Sequence, residues 1–388
     1  MFTKIVYFKQ NIVFILNFVK KIRRMKKVYL ILLLLLLFGV PTWACTSAIV
    51  SAKVSKTGRP LLWKHRDTGT EHNFVEKVEA KDGNYAYVAL YNGGDSTLRD
   101  AWLGMNEVGF AIMNTASYNL APDTAKLKDQ EGYVMSLALQ KCRTLADFET
   151  LLDTISKPMG VQANFGMIDA SGDGAYYETD DFSYTKFSLS DAENGVLVRT
   201  NYSHTGEEGG GYGYIREDNA WHLLEPYIKD KNIEASTFTD VISRSFYHSL
   251  KGRDVAEGSD RWIVDQDYIP RRTTSASVVM EGVAQGEDPS LYIMWTEIGY
   301  PPCSYTLPVM IDSVPQELRP QGKEWRSTLC NEIIKKKHEV FSIKRGSGKH
   351  YIDMDVIKKY SAEGKQKSAE NYKKGYQKRE EKAKQLKK

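Results

Sequence analysis

Hydrophobic and polar positions alternate with a period near two over most of the chain after residue 45. The run TSAIVSAKV predicts a strand over residues 46–54. Thr57-Gly58-Arg59-Pro60 is a turn signal, and Leu61-Leu62-Trp63 opens a second strand. Further strands are predicted over 74–80, 85–91 and 109–116. Between 131 and 155 the period changes. Met135, Leu137, Leu139, Leu145, Phe148, Leu151 and Leu152 fit two helical segments. Strands follow over 164–169, 174–178 and 196–201, then helices over 217–228 and 235–250, strands over 275–282 and 291–298, and a helix over 316–340. Strands come in runs with helices inserted in blocks. That order predicts an α+β fold of stacked, mainly antiparallel sheets flanked by helices, not a doubly wound parallel sheet.

The two ends break the pattern. Met25 to Ala44 reads MKKVYLILLLLLLFGVPTWA. Two lysines precede an apolar run too short for a comfortable membrane span, Pro41 breaks it, and Thr42-Trp43-Ala44 offers small residues at −3 and −1 of a cleavage site. This predicts an export leader over 1–44 with its start at Met25, and a periplasmic or extracellular protein whose mature chain begins at Cys45. Lipidation of that cysteine is the competing expectation, and the bulky Trp43 fits its recognition pattern poorly. At the other end, residues 346–388 are lysine-rich with few apolar positions. They read as a solvated helix outside a domain spanning 45–345, with an envelope contact as the minority reading.

Composition narrows the class. Of 388 residues, 42% are hydrophobic and 26% charged, which suits a globular chain, and a net charge of +4 gives no reason to expect nucleic acid as a partner. Four cysteines without C-x-x-C spacing argue against a zinc ribbon or a thioredoxin-type site. For Cys142, Cys303 and Cys330, a disulfide and buried free thiols both fit. The histidines form no H-E-x-x-H motif. A histidine-activated cysteine of the papain kind would sit at the start of a helix, whereas Cys45 starts a strand.

An N-terminal cysteine has chemistry of its own. Its α-amine, with an ordinary pKa of about 7.7–8.0, lies on the same residue as a thiol of about 8.5. The amine can take the thiol proton with no histidine. The following strand would hold the pair rigidly. The run Cys45-Thr46-Ser47-Ala48-Ile49-Val50, followed by Lys64-His65-Arg66-Asp67, resembles the opening of the N-terminal nucleophile hydrolases. Within them it is similar to the C45 peptidase and isopenicillin-N acyltransferase-like family, relatives of the choloylglycine and linear-amide hydrolases.

The resemblance implies an αββα sandwich and a cysteine amidohydrolase that acts on a small-molecule linear amide through a thioester and needs no cofactor or metal. It places Asp67 beside the cysteine amine and Lys64 where the family carries arginine, which keeps a cation but loses the bidentate fork. The run Gly104 to Asn114 resembles a strand carrying an oxyanion-side asparagine, here Asn114. Leu197 to His204 resembles a strand end at which Asn201 donates to the oxyanion. Pro270-Arg271-Arg272-Thr273-Thr274 supplies the late arginine, with Arg272 favoured over Arg271 and Arg261. The same site could pass its acyl group to an amine as an acyltransferase or act as a C69-type dipeptidase. A non-catalytic envelope lipoprotein is the reading from another class.

Overall fold

The computed structural model describes residues 44–121 and 125–388. Apart from Ala44, the expected leader lies outside them. Two antiparallel sheets dominate. The first has the order β10-β1-β2-β11-β12-β13, formed by β1 (Thr46–Val50), β2 (Leu61–Asp67), β10 (Val196–Arg199), β11 (Thr274–Glu281), β12 (Ile293–Ile298) and β13 (Leu307–Val309). The second runs in chain order from β3 to β9: β3 (Asn73–Val78), β4 (Tyr87–Asn92), β5 (Leu103–Asn106), β6 (Ala111–Ala116), β7 (Ala163–Ile168), β8 (Gly174–Thr179) and β9 (Tyr184–Ser188).

The sheets share an apolar layer in which Ile49, Leu62, Val278 and Met280 belong to one core with Val88, Leu90, Met105, Met113 and Ile168. Helices α1 (Glu131–Lys141) and α2 (Leu145–Thr154) cover the outer face of the second sheet through Val134, Leu139, Phe148 and Leu152. A capping box between Thr144 and Asp147 fixes the start of α2. On the outer face of the first sheet, Trp63, Val279 and Trp295 share a core with Ala220 and Leu224 of α3 (Tyr214–Lys229) and Tyr372 of α5 (Met354–Leu386). Helix α4 (Thr328–Val340) packs beside α5. The result is the expected α+β arrangement, helices outside two stacked antiparallel sheets.

Because both faces of the first sheet are covered, its strands lose the clean apolar-polar alternation of a half-exposed sheet. All seven residues of β2 are buried, including Lys64, His65, Arg66 and Asp67. That concentration of buried charge, which polar pairing must offset, marks this end of the sheet. The three other cysteines, Cys142, Cys303 and Cys330, are free and buried.

Three expectations need correction. Residues 235–250 do not form an α-helix. They make a π turn (Thr237–Val241), a short 3-10 turn and then extended chain. Thr237, Ser243 and Ser245 bond locally or across to the sheet instead of leaving the backbone to a helical ladder. The helix predicted over 316–340 begins only at Thr328, after Pro320 and a turn at Gly322, with Ser327 as its cap. The tail is a 33-residue helix docked on the sheet, not a solvated one, so residue 346 starts no separate region. Its buried stripe is Met354, Ile357, Tyr360, Gly364, Ser368, Tyr372, Gly375 and Arg379. No described helix is long and apolar enough to cross a membrane.

Candidate active site

Cys45 sits just before β1, and the register of β1 on β2 pairs Thr46 with His65 and Ser47 with Lys64. Continued by one residue, it sets Cys45 opposite Arg66, with Lys64 on the diagonal. Side chains alternate across a strand, so Lys64 and Arg66 share one face of β2 and His65 takes the other. The Cys45 thiol, 7% exposed, donates weakly to the main-chain carbonyl of Asp67 at 3.8 Å.

Each charged residue of β2 is held separately. Lys64 Nζ donates to Asn114 Oδ1 at 2.7 Å and to the Trp102 carbonyl at 2.9 Å. Burial drives its pKa down to about 7, against the raising influence of Cys45. Arg66 donates to Asn73 Oδ1 (2.6 Å), Asn92 Oδ1 (2.8 Å) and Ser275 Oγ (3.2 Å), and its guanidinium lies over the Trp102 ring. Ser275 reaches it because β11 carries an extra residue between Thr274 and Ala276 where it pairs with β2. Burial likewise lowers Arg66, to about 10. The Asp67 carboxylate accepts from Arg271 Nε at 2.7 Å and Thr274 Oγ1 at 2.6 Å. Arg271 also reaches the Ala44 carbonyl at 3.5 Å, on the peptide bond that precedes Cys45.

Arg272 is therefore corrected as the late arginine. Its side chain is exposed, and its backbone N–H donates to Asp265, while its neighbour Arg271 turns inward onto Asp67. Of the other residues singled out from the sequence, Asn114 meets Lys64. Asn201 comes to Cys45 through a residue the sequence did not flag, Arg216. Fully buried on α3, Arg216 donates through Nη1 to the Cys45 carbonyl and to Thr46 Oγ1 (2.9 Å), and through Nη2 to Asn201 Oδ1 (2.9 Å). The Asn201 amide nitrogen donates to the Ala116 carbonyl at 2.8 Å. Gly213, at φ 100°, caps α3 where a Cβ would run into the Arg216 guanidinium, so only glycine leaves room. The sequence does contain a signal for Arg216. It falls on the same helical phase as the buried Asn219, Ala220 and Leu224, a position otherwise given to core residues.

His65 stands apart from the thiol. Its ring bonds Ser243 and Thr274, both at 3.2 Å, on the outer face, and burial pulls its pKa down to about 4, which keeps it neutral. His204 meets Glu217 at 3.1 Å. The described contacts thus tie neither imidazole to Cys45.

A cavity of 180 Å³ opens beside these groups, lined by Trp102, Asn114, Ala116, Tyr118, Glu131 and Gln162. It touches the residues that hold Lys64 and Asn201. A larger cavity of 650 Å³ lies among Ser51, Gly174 and Lys231, at the far end of β1, away from the buried charges. The smaller one is the better candidate for substrate, because it adjoins the thiol's surroundings. Lys64, Arg66 and Arg216 are all buried at this end of the sheet, the first two on the strand paired with β1 and the third on the Cys45 carbonyl. Buried cations so placed can stabilise negative charge that develops on a group bound at this end of the sheet.

No family model matches the chain, and no curated protein matches it. Similar solved structures include a Caenorhabditis elegans ortholog of N-acylethanolamine-hydrolyzing acid amidase, 14% identical, covering 61% of this chain and 92% of that one, with a TM-score of 0.42. A variant of conjugated bile acid hydrolase from Clostridium perfringens is 13% identical and covers 70% of this chain and 94% of that one, at 0.43. Penicillin V acylase from Agrobacterium tumefaciens is 14% identical, covering 70% and 87%, at 0.37.

Proposed function

We propose that this chain is a thiol amidohydrolase of the N-terminal nucleophile class. More particularly, it is an exported enzyme that cleaves a small linear amide through a thioester on Cys45. The observation that carries the reading is the placement of one thiol at the head of β1, where the strand register brings Lys64 and Arg66 alongside, Arg216 holds the Cys45 carbonyl, and Lys64 and Arg216 in turn hold the Asn114 and Asn201 oxygens.

Removal of the leader after Ala44 frees the Cys45 amine. That amine takes the thiol proton, directly or across one water, and the thiolate attacks the substrate carbonyl. The new oxyanion meets the Asn114 amide, whose oxygen is already committed to Lys64, and the second N–H of the Asn201 amide. One such donor contributes about 100- to 1000-fold in rate. Arg216 fixes the Cys45 carbonyl, and Asp67, held by Arg271 and Thr274, sets the charge around the amine. The ammonium then protonates the leaving amine, and water resolves the thioester.

The test is a panel of linear amides assayed with purified secreted protein and its Cys45→Ala variant, together with N-terminal sequencing. Mature protein starting at Cys45, with turnover that vanishes in a folded Cys45→Ala variant, supports the reading. Turnover retained by that variant, or a different first residue, refutes it.

A further inference from the structure

We propose that Lys337, on α4, is a positioning residue for the Cys45 site: it holds the start of β11 so that Asp67 keeps its place beside the cysteine. The proposal rests on Cys45 being the nucleophile, and it adds a residue from outside the group already placed around that thiol.

The contacts form a continuous chain. The Cys45 thiol meets the Asp67 carbonyl at 3.8 Å, and the Asp67 carboxylate accepts from Arg271 Nε and from Thr274 Oγ1. Thr274 opens β11, and its hydroxyl also accepts from the Arg271 backbone N–H at 3.0 Å. Thr274 is thus one partner of that carboxylate and steadies the other. The strand ladder gives it little help, because an extra residue interrupts the pairing of β11 with β2 between Thr274 and Ala276. Lys337 supplies a hold instead, its Nζ donating to the Thr274 carbonyl at 3.1 Å.

Lys337 is itself fixed. Its side chain is 2% exposed, a costly place for an ammonium, and Glu71 Oε1 at 3.0 Å offsets that cost. Glu71 lies in the turn between β2 and β3. Cys330, two helical turns before Lys337 and on the same face of α4, donates to the Glu71 carbonyl at 3.6 Å and accepts from the Asn73 N–H at 3.3 Å. Helix α4 therefore grips this turn at two points, and the ammonium bridges from it to β11. No described contact joins Lys337 to Cys45 or to the cavity lining, so its influence on turnover runs through Thr274.

The experiment compares Lys337→Met, Lys337→Arg and Glu71→Gln in the full chain. It uses steady-state kinetics on an amide that the wild type turns over, and hydrogen exchange read by peptide mass. Glu71→Gln removes the negative charge but keeps an oxygen for Lys337, so it tests the ion pair alone. Lys337→Met is expected to lower kcat by about 100-fold at little-changed KM, the scale on which a small displacement of reacting groups acts. Lys337→Arg, which keeps a charged donor, should recover most of that loss. Glu71→Gln should lose stability and keep its kcat. The Thr68 amide, which donates to the Thr273 carbonyl at 2.9 Å, should exchange faster in Lys337→Met while β4 stays unchanged. An unchanged kcat in Lys337→Met, a loss as large in Glu71→Gln, or exchange that rises equally in β4 overturns the proposal and leaves an ordinary structural ion pair. Should Lys337→Met fail to fold, Lys337→Gln, neutral but polar, faces the same outcomes. Exchange at Thr68 needs no turnover, so a failed linkage is told apart from a failed nucleophile, which the Cys45→Ala variant reports.

Discussion

The guanidinium of Arg216 binds the main-chain carbonyl of Cys45. The same fork reaches Thr46 Oγ1 and Asn201 Oδ1, so one buried side chain ties the start of β1 to the asparagine after β10. A lysine presents a point charge and cannot reproduce that fork. Arg216→Lys is therefore expected to lower kcat/KM by about 100-fold, the scale on which a small misplacement of reacting groups acts. Gly213→Ala should produce a similar loss by displacing the guanidinium. Steady-state kinetics on a turned-over amide check both, and unchanged kinetics in Arg216→Lys would remove Arg216 from the site.

Adjacent arginines give a sharper contrast. Arg271 holds Asp67 through a charge-assisted bond of 2.7 Å, while Arg272 is exposed. Arg271→Met strips the Asp67 carboxylate of one of its two donors and should cost about 1–3 kcal/mol of stability along with most of the activity. Arg272→Met should stay within about 0.5 kcal/mol of wild type and keep its rate. Urea denaturation and kinetics on the two variants test this pair, and a reversed order would restore Arg272 as the site arginine.

Much of this arrangement was legible in the chain because its signals are local. TSAIV, rich in β-branched residues, read as the strand it forms. The two helices after Glu131 declared themselves by period. Three strands of the two sheets escaped notice, β5, β9 and β13, because Leu103–Asn106 and Leu307–Val309 are too short to show alternation and Tyr184–Ser188 is polar and partly exposed. Arg216 escaped for a different reason. A charged residue on a helix reads as solvated unless the helix phase is checked, and what buries it, Asn201 and the Cys45 carbonyl, arrives from distant strands. The choice between Arg271 and Arg272 depends on which way a loop turns into β11, which no spacing encodes.

His65 carries a pH signature of its own. In the folded chain it binds its first proton only near pH 4, whereas an unfolded histidine does so near 6.5. Between those values the unfolded state holds the extra proton, so stability falls as pH drops through the window and is fully present above 6.5. The loss attributable to this one ring is at most about 3 kcal/mol. His65→Gln, which has no titrating ring, should lose less stability between pH 7 and 4.5 than wild type does, while keeping amidase activity. Denaturant unfolding at the two pH values measures the difference. Equal losses would mean that the ring is protonated or exposed in the folded protein.

The C-terminal helix makes opposite predictions depending on whether it is docked or solvated. In a solvated helix, replacing glycine with alanine stabilises by about 0.8–1 kcal/mol through propensity alone. Here Gly364 faces the Ser304 carbonyl and Gly375 the ring of Trp295, each too close to admit a Cβ. Around them Tyr372 bonds Thr239 at 2.5 Å, and Arg379 meets the buried Glu281 at 3.1 Å. Gly364→Ala and Gly375→Ala are accordingly expected to destabilise by about 1–3 kcal/mol, the usual cost of overpacking. Glu370→Ala, on the exposed side of the same helix, should be close to neutral. The sign of the glycine effect decides the matter. A gain in stability in either variant would show that α5 does not lie against the sheet, and that the lysine-rich segment behaves as its composition suggests.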